Sequence, residues 1–231
     1  MRAVDSPYPP GLVIVPMGDL SRFSSFLVSI ESLDVPAGSS LHLEQGPSVA
    51  LNVNGGLQAL IEHPEFQWAW LMGDDHAFAS DTLLRLLAHD RDIIVPLVVH
   101  KKPPYAPVLY TGIDAEQQLT VLNFVDFPPA GGLVEVFAAG SAGLLLKRAV
   151  VEKLNPPWME YGRIASDRLS EDLWFCMKAR EAGFAIWADL DTGLDHSGVH
   201  AVKPWRTPEG KWGVQLLMGG EMDLRLTLVT P

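Results

Sequence analysis

The stretch Trp68-Ala69-Trp70-Leu71-Met72-Gly73-Asp74-Asp75-His76 carries the densest chemistry in the sequence. An apolar, aromatic-rich run stops abruptly at two carboxylates and an imidazole. Ligand sites in open α/β sheets lie outside the carboxyl ends of the strands. Oxygen and nitrogen donors grouped at such an end suit Mn²⁺ or Mg²⁺. An ion held there could grip a diphosphate and neutralise charge on a leaving phosphate. The other reading is an acidic turn that caps the next helix, a task Ser80-Asp81 can already perform.

Three further stretches bear on that site. In Leu194-Asp195-His196-Ser197-Gly198-Val199-His200, one histidine could complete a metal site with Asp74 and His76, or be structural; His200 competes with His196 for the role. Ser170-Glu171-Asp172 starts a helical pattern. A serine N-cap followed by acids is favoured by the helix dipole at roughly 0.3–1 kcal/mol per charge, so this stretch needs no further role. Alternatively, one carboxylate faces a cleft and works as a general base. Ala138-Ala139-Gly140-Ser141-Ala142-Gly143 precedes Leu144–Lys147, and its small residues permit close backbone approach. It is neither a dinucleotide fingerprint nor a Walker loop, and Ser141 lacks nucleophile-elbow spacing.

Short apolar runs alternating with helical patterns must position these groups, which predicts an α/β sandwich. Leu12–Val15 reads as a buried strand. Asp19 or Ser21 caps a helix carrying Phe23, Phe26, Leu27, Ile30 and Leu33, stopped by Pro36 and Gly38. Leu41–Leu43 is a strand, 48–62 a helix, Phe66–Met72 a strand, and Ser80-Asp81 caps a helix through Leu87. Ile93–Val95 is the fourth strand. Short strands follow near Val108–Tyr110, Leu119–Leu122 and Val134–Phe137, then a helix over Lys147–Leu154. Ser170 caps a helix that ends at Gly183, a suitable C′ glycine, and Ala185–Ala188 is a strand. Beyond Lys203 the tail reads as loop formers with Trp205 and Trp212.

Of 231 residues, 48% are hydrophobic and 19% charged, enough for a sizeable core. The net charge of −11 argues against a general polyanion-binding surface. The single cysteine, Cys176, excludes an internal disulfide framework and a cysteine-type zinc site and fits a reducing compartment. No apolar run has signal-peptide or membrane-spanning length, so a cytoplasmic protein without membrane contact is expected.

Taken in order, these pieces resemble a known family. The chain shows Asp74-Asp75-His76 at a strand end, a small-residue strand leading to Lys147-Arg148, then Pro156-Pro157-Trp158. Ser170-Glu171-Asp172, a Gly183-Phe184 strand and His196 follow. From about Leu12 to His200 this resembles nucleotide-diphospho-sugar glycosyltransferases of the GT-A fold, in particular family-2 transferases and their phage-like relatives. The resemblance implies a GT-A type Rossmann-like sandwich with a mixed central sheet in a single domain, residues 1–231. Residues from about 10 to 100 would form the nucleotide-binding half and about 101 to 200 the acceptor and catalytic half. The remainder would be a tail or lid.

It also implies roles. Asp74 and His76 match the Asp-x-Asp motif in its Asp-x-His form, known from polypeptide N-acetylgalactosaminyltransferases. They would hold Mn²⁺ or Mg²⁺ and the donor diphosphate, with His196 as the later metal ligand. Asp75 would reach ribose or sugar. Asp172, beside Glu171, matches the general base of inverting members. Pro16, Met17, Gly18 and Asp19, with Glu44 to Gly46, match the walls around the nucleotide base. Gly140 and Ser141 match the strand lining donor sugar and acceptor. Where relatives often carry Arg-Asn, this chain has Val53-Asn54. UDP is the commonest family nucleotide. The acceptor is a glycan, a protein or a modified DNA base; for DNA, Lys101, Lys102, Arg163, Arg168, Lys203 and Arg206 would form a basic rim. Trp205 or Trp212 either stacks on a sugar or packs on the core.

Two other classes compete. A nucleotidyltransferase of this fold needs a glycine-rich basic loop after the first strand, and 17–22 holds one arginine and one glycine. A non-catalytic sugar-nucleotide or glycan-binding module would bind without turnover.

Overall fold

The computed structural model describes residues 1–18, 23–101, 104–114, 118–164, 167–198, 201–217 and 223–227. The first half holds β1 (Arg2–Val4), β2 (Leu12–Met17), α1 (Ser24–Ser32), β3 (Asp34–Pro36), β4 (Ser40–Gln45) and α2 (Val49–Glu62). It continues with β5 (Trp68–Leu71), β6 (His76–Ala77), α3 (Thr82–Ala88) and β7 (Ile93–Leu97). Then come β8 (Leu109–Ile113), β9 (Leu119–Val121), β10 (Leu133–Val136), β11 (Ala138–Ala139), β12 (Leu144–Lys147) and α4 (Arg148–Lys153). After these follow β13 (Gly162–Ile164), β14 (Asp167–Leu169), α5 (Glu171–Glu181) and β15 (Ile186–Gly193). The chain closes with β16 (Asp195–His196), β17 (Ala201–Arg206), β18 (Trp212–Leu217) and β19 (Asp223–Thr227).

Seven strands form the central sheet in the order β10-β15-β7-β12-β5-β2-β4. β2 runs parallel to β4 and β5, and β7 parallel to β15. β12 lies antiparallel between β5 and β7, and β10 antiparallel on β15. The sheet is therefore mixed, within a single α/β domain.

Both faces are covered, which is why β2 and β5 read as continuous apolar runs. Leu12, Ile14, Ala69 and Leu71 face one core with Val53, Leu57 and Leu60 of α2. Val13, Val15, Trp68 and Trp70 face the other, with Phe26 of α1 and Leu83 and Leu86 of α3. Each such buried Leu or Ile contributes roughly 1.5–3 kcal/mol by leaving water.

The helix ends differ in how they are closed. Ser48 caps α2, its Oγ accepting from the Leu51 N–H at 3.3 Å. Gly183 ends α5 at φ 95°, with its N–H on the Arg180 carbonyl and the Phe184 N–H on the Ala179 carbonyl, a Schellman closure. Ser170 and Asp81 occupy N-cap positions but make no side-chain cap bond. The Ser170 hydroxyl donates instead to the Asp172 carboxylate, which competes for it more strongly than a backbone N–H does. The helix expected after Asp19 or Ser21 begins at Ser24, and both proposed caps lie outside the described residues.

The tail differs from its expectation. It forms an antiparallel five-stranded sheet in the order β19-β18-β17-β16-β6. Its β17–β18 hairpin turns through Gly210 at φ 83°, and Thr207 and Lys211 are bonded across the turn. Pro208 and Gly210 belong to that one turn, and Pro204 lies within β17 opposite Val214. No helix among the described residues is long and apolar enough to cross a membrane.

Candidate functional site

Two short strands build the site. β5 ends at Leu71, a turn through Gly73 follows, and β6 pairs antiparallel with β16 so that His76 stands opposite His196. The two imidazoles stack, ring centroids 4.3 Å apart. Asp75 joins them. Its Oδ1 lies 2.8 Å from His76 Nδ1 and its Oδ2 3.4 Å from His196 Nε2. Gly73 makes room, since a Cβ there would stand 2.9 Å from His76 Nδ1 and 3.0 Å from Asp75 Oδ1.

His196 is pre-set as a ligand. Its Nδ1 lies 2.8 Å from the Val99 carbonyl, which can only accept, so in the neutral ring Nδ1 carries the proton and Nε2 offers its lone pair. His76 is buried; its Nδ1 meets Asp75 Oδ1, whereas its Nε2 has no hydrogen-bond partner among the described residues. Unpaired buried polar atoms are costly, roughly 1–3 kcal/mol each, and mark a place where a partner belongs. One ligand atom from each of Asp75, His76 and His196 falls within 4.8 Å of the others. One carboxylate oxygen and two imidazole nitrogens gathered this closely are a donor set of the kind that a divalent ion such as Mn²⁺ takes.

Electrostatics agree with this grouping. Burial alone would raise the Asp75 carboxyl, but contacts with His196, His76 and the Lys101 ammonium outweigh it and hold the carboxyl well below the usual range. Burial lowers the His76 imidazole, with Asp75 opposing, which favours the neutral form that binds metal.

The cluster separates two cavities. One, of about 250 Å³, is lined by Pro16, Val49, Val53, Asp74 and Asp75. The other, of about 180 Å³, is lined by His100, Val108, Gly140, Asp172 and His196. His76, Ser141 and Ala142 belong to both. In the second cavity Asp172 Oδ2 accepts from the Ser141 N–H at 3.3 Å, and Oδ1 accepts from the Leu173 N–H at 2.8 Å. Gly140 permits this approach, because a Cβ there would press on Val108 Cγ1 at 2.8 Å and stand 3.6 Å from Asp172 Oδ2. Burial, and then the Asp172 charge, raise the nearby Tyr110 hydroxyl. Burial and the His196 charge lower His100.

The expected residues are distributed unevenly over this geometry. His76, His196 and Asp172 line one cavity. Of the two acids, Asp75, expected at ribose or sugar, meets both histidines, and Asp74, expected as a metal ligand, lines the first cavity together with Asp75. Glu171 starts α5 and lines neither cavity. Pro16 lines the first cavity, whereas Met17 offers its carbonyl to Asn52 Nδ2 at 2.9 Å and Gly18 is exposed. Asp19 and His200 lie outside the described residues.

Glu44 pairs with His42 at 2.8 Å on the outer strand β4, and Gly46 packs against Asn52. Asn54 is structural: its carboxamide donates to the Met159 carbonyl at 2.7 Å and accepts from the Met159 N–H at 2.9 Å. Trp212 packs on Phe124 and Phe127 in the core, which removes it as a sugar platform.

Of the cations expected to form a basic rim, four are engaged locally, Arg163 is exposed, and Lys102 lies outside the described residues. Lys101 pairs with Asp75, Lys203 with Asp195 and Arg206 with Asp191, and Arg168 covers the Tyr161 ring. His100, which lines the second cavity, is a site residue that sequence reading missed. His100 was findable, because it directly follows the apolar run of β7 and so sits at a strand's carboxyl end.

No protein-family profile matches the sequence, and no curated protein sequence matches it. Solved structures do match in fold. A197 from STIV superposes with a TM-score of 0.60 at 14% identity, covering 92% of this chain and 95% of that one. GalNAc-T7, crystallised with UDP, GalNAc and Mn²⁺, superposes with a TM-score of 0.57 at 10% identity. That match covers 84% of this chain but 45% of GalNAc-T7, so this chain spans less than half of that neighbour. At such identities the likeness is one of fold: a mixed α/β architecture of the GT-A kind.

Proposed function

We propose that this chain is a metal-dependent glycosyltransferase that moves a sugar from a nucleoside-diphosphate donor to an acceptor hydroxyl, with inversion at the anomeric carbon. The observation that carries the reading is the Asp75-His76-His196 cluster at the seam of two cavities, the second lined by Asp172. Asp75, His76 and His196 would hold the ion. When bound, Mn²⁺ or Mg²⁺ supplies positive charge to the diphosphate leaving group.

The first cavity takes the donor, with Pro16 and Val53 as apolar walls and Asp74 facing ribose or sugar. UDP is the proposed nucleotide, in keeping with the ligand of GalNAc-T7. Its side chains come from the first hundred residues or so, apart from Ser141 and Ala142. The second cavity takes the acceptor, a hydroxyl of a glycan, a protein or a modified DNA base. Asp172 is held there by the Ser141 and Leu173 N–H groups and receives the acceptor's proton on a carboxylate oxygen as the new bond forms. β17 pairs with β16 and so steadies His196. A cytoplasmic setting would keep the buried Cys176 thiol reduced.

Incubating the protein with Mn²⁺ and a panel of UDP-sugars, and measuring UDP release and the anomeric configuration of the product, tests the reading. Asp172→Asn should lower turnover by about 10²–10⁴-fold while leaving Mn²⁺ binding intact. His76→Ala should lose both. Full activity in both variants removes these roles, and a product of retained configuration removes Asp172 as base.

A further inference from the structure

Lys101 follows β7 on the loop that also carries His100, and its Nζ lies 2.6 Å from Asp75 Oδ2. The same oxygen faces His196 Nε2 at 3.4 Å, while the other Asp75 oxygen is on His76. The ammonium therefore occupies the one Asp75 oxygen that looks toward His196, on the atom a divalent ion would take. The Lys101 side chain is 40% exposed, so its stem is free to swing without disturbing the core.

We propose that Lys101 is the resident counter-cation of the metal-free cluster, and that it yields Asp75 to a divalent ion and turns onto the donor diphosphate. This rests on the function proposed above. Two observations support the exchange. An ammonium and a divalent ion cannot share one carboxylate oxygen without mutual repulsion, so metal entry expels the lysine. The described residues lining the first cavity include two aspartates and no lysine or arginine. A diphosphate there needs a cation besides the metal, and Lys101 is the lysine already touching the cavity's Asp75. A lysine serves phosphate as a mobile point charge, which suits a group that must change partners.

Calorimetric titration of the whole protein tests this, first with MnCl₂ alone and then with UDP at saturating Mn²⁺. Wild type, Lys101→Met and Lys101→Arg are compared, with circular dichroism to confirm folding. Lys101→Met should bind Mn²⁺ about fivefold more tightly than wild type, the yield of removing one partly exposed competing ion pair. The same variant should bind UDP about tenfold more weakly. Lys101→Arg should stay near wild type in both.

Equal or weaker Mn²⁺ binding by Lys101→Met overturns the competition, and unchanged UDP affinity overturns the turn onto diphosphate. Absence of Mn²⁺ binding in wild type and variants alike removes the metal site itself. A wild type that binds both ligands but transfers no sugar removes the transferase reading and leaves the lysine exchange to be judged on its own two affinities.

Discussion

Asp74 and Asp75 are adjacent and chemically identical, yet the fold treats them differently. Asp75 stands within contact of two histidines and Lys101, and Asp74 lines the neighbouring cavity. Asp75→Asn should therefore weaken Mn²⁺ binding by at least about 100-fold, since even the outer partners of metal ligands are worth 10–100-fold. Asp74→Asn should leave Mn²⁺ affinity within about twofold and weaken donor binding instead. Calorimetry with MnCl₂ reads the first effect, and UDP at saturating metal the second. The reverse pattern would restore Asp74 as the ligand. Cys176 makes a separate residue-scale test. Burial pushes its thiol up to about 12, so the thiolate is scarce at pH 8. Thiol reagents should leave the native chain unlabelled and react on unfolding in urea, and fast labelling of folded protein would show that α5 opens.

At the scale of elements, α2 lies on β2 through Gly56. A Cβ at Gly56 would overlap the buried Ile14 side chain. Gly56→Ala gains about 1 kcal/mol of helix propensity but overpacks the helix–strand contact, at roughly 1–3 kcal/mol. Ile14 is enclosed on all sides, so overpacking should win and urea denaturation should show a net loss of up to about 2 kcal/mol. A stabilised variant would mean that α2 can slide on the sheet. Gly140 is its counterpart near the site: Gly140→Val should displace Val108 and Asp172 and reduce turnover more than stability.

For the molecule as a whole, the C-terminal sheet is what joins the two ends of the site. β6 follows β5 of the central sheet, and β16 to β19 continue from β6. Trp212 anchors this sheet on Phe124 and Phe127. Trp212→Ala should cost roughly 3–5 kcal/mol in denaturation, with the activity of the folded fraction retained. Loss of activity at unchanged stability would mean that this ring contacts a ligand after all.

Local sequence pattern determined much of this molecule. The continuous apolar runs Leu12–Val15 and Trp68–Met72 and the Gly183 stop placed strands and a helix end, because periodicity and φ preference act within a few residues. The types gathered at the ends of β5 and α5 also announced acid–imidazole chemistry. The tertiary structure alone decided which of two adjacent aspartates meets the histidines, that Asn54 and Trp212 are structural, and that Lys101 sits on Asp75. Those outcomes depend on strand pairing between β6 and β16, far apart in the chain, and on where a turn aims each side chain. The energies that choose between such orientations arise only when distant segments are packed together.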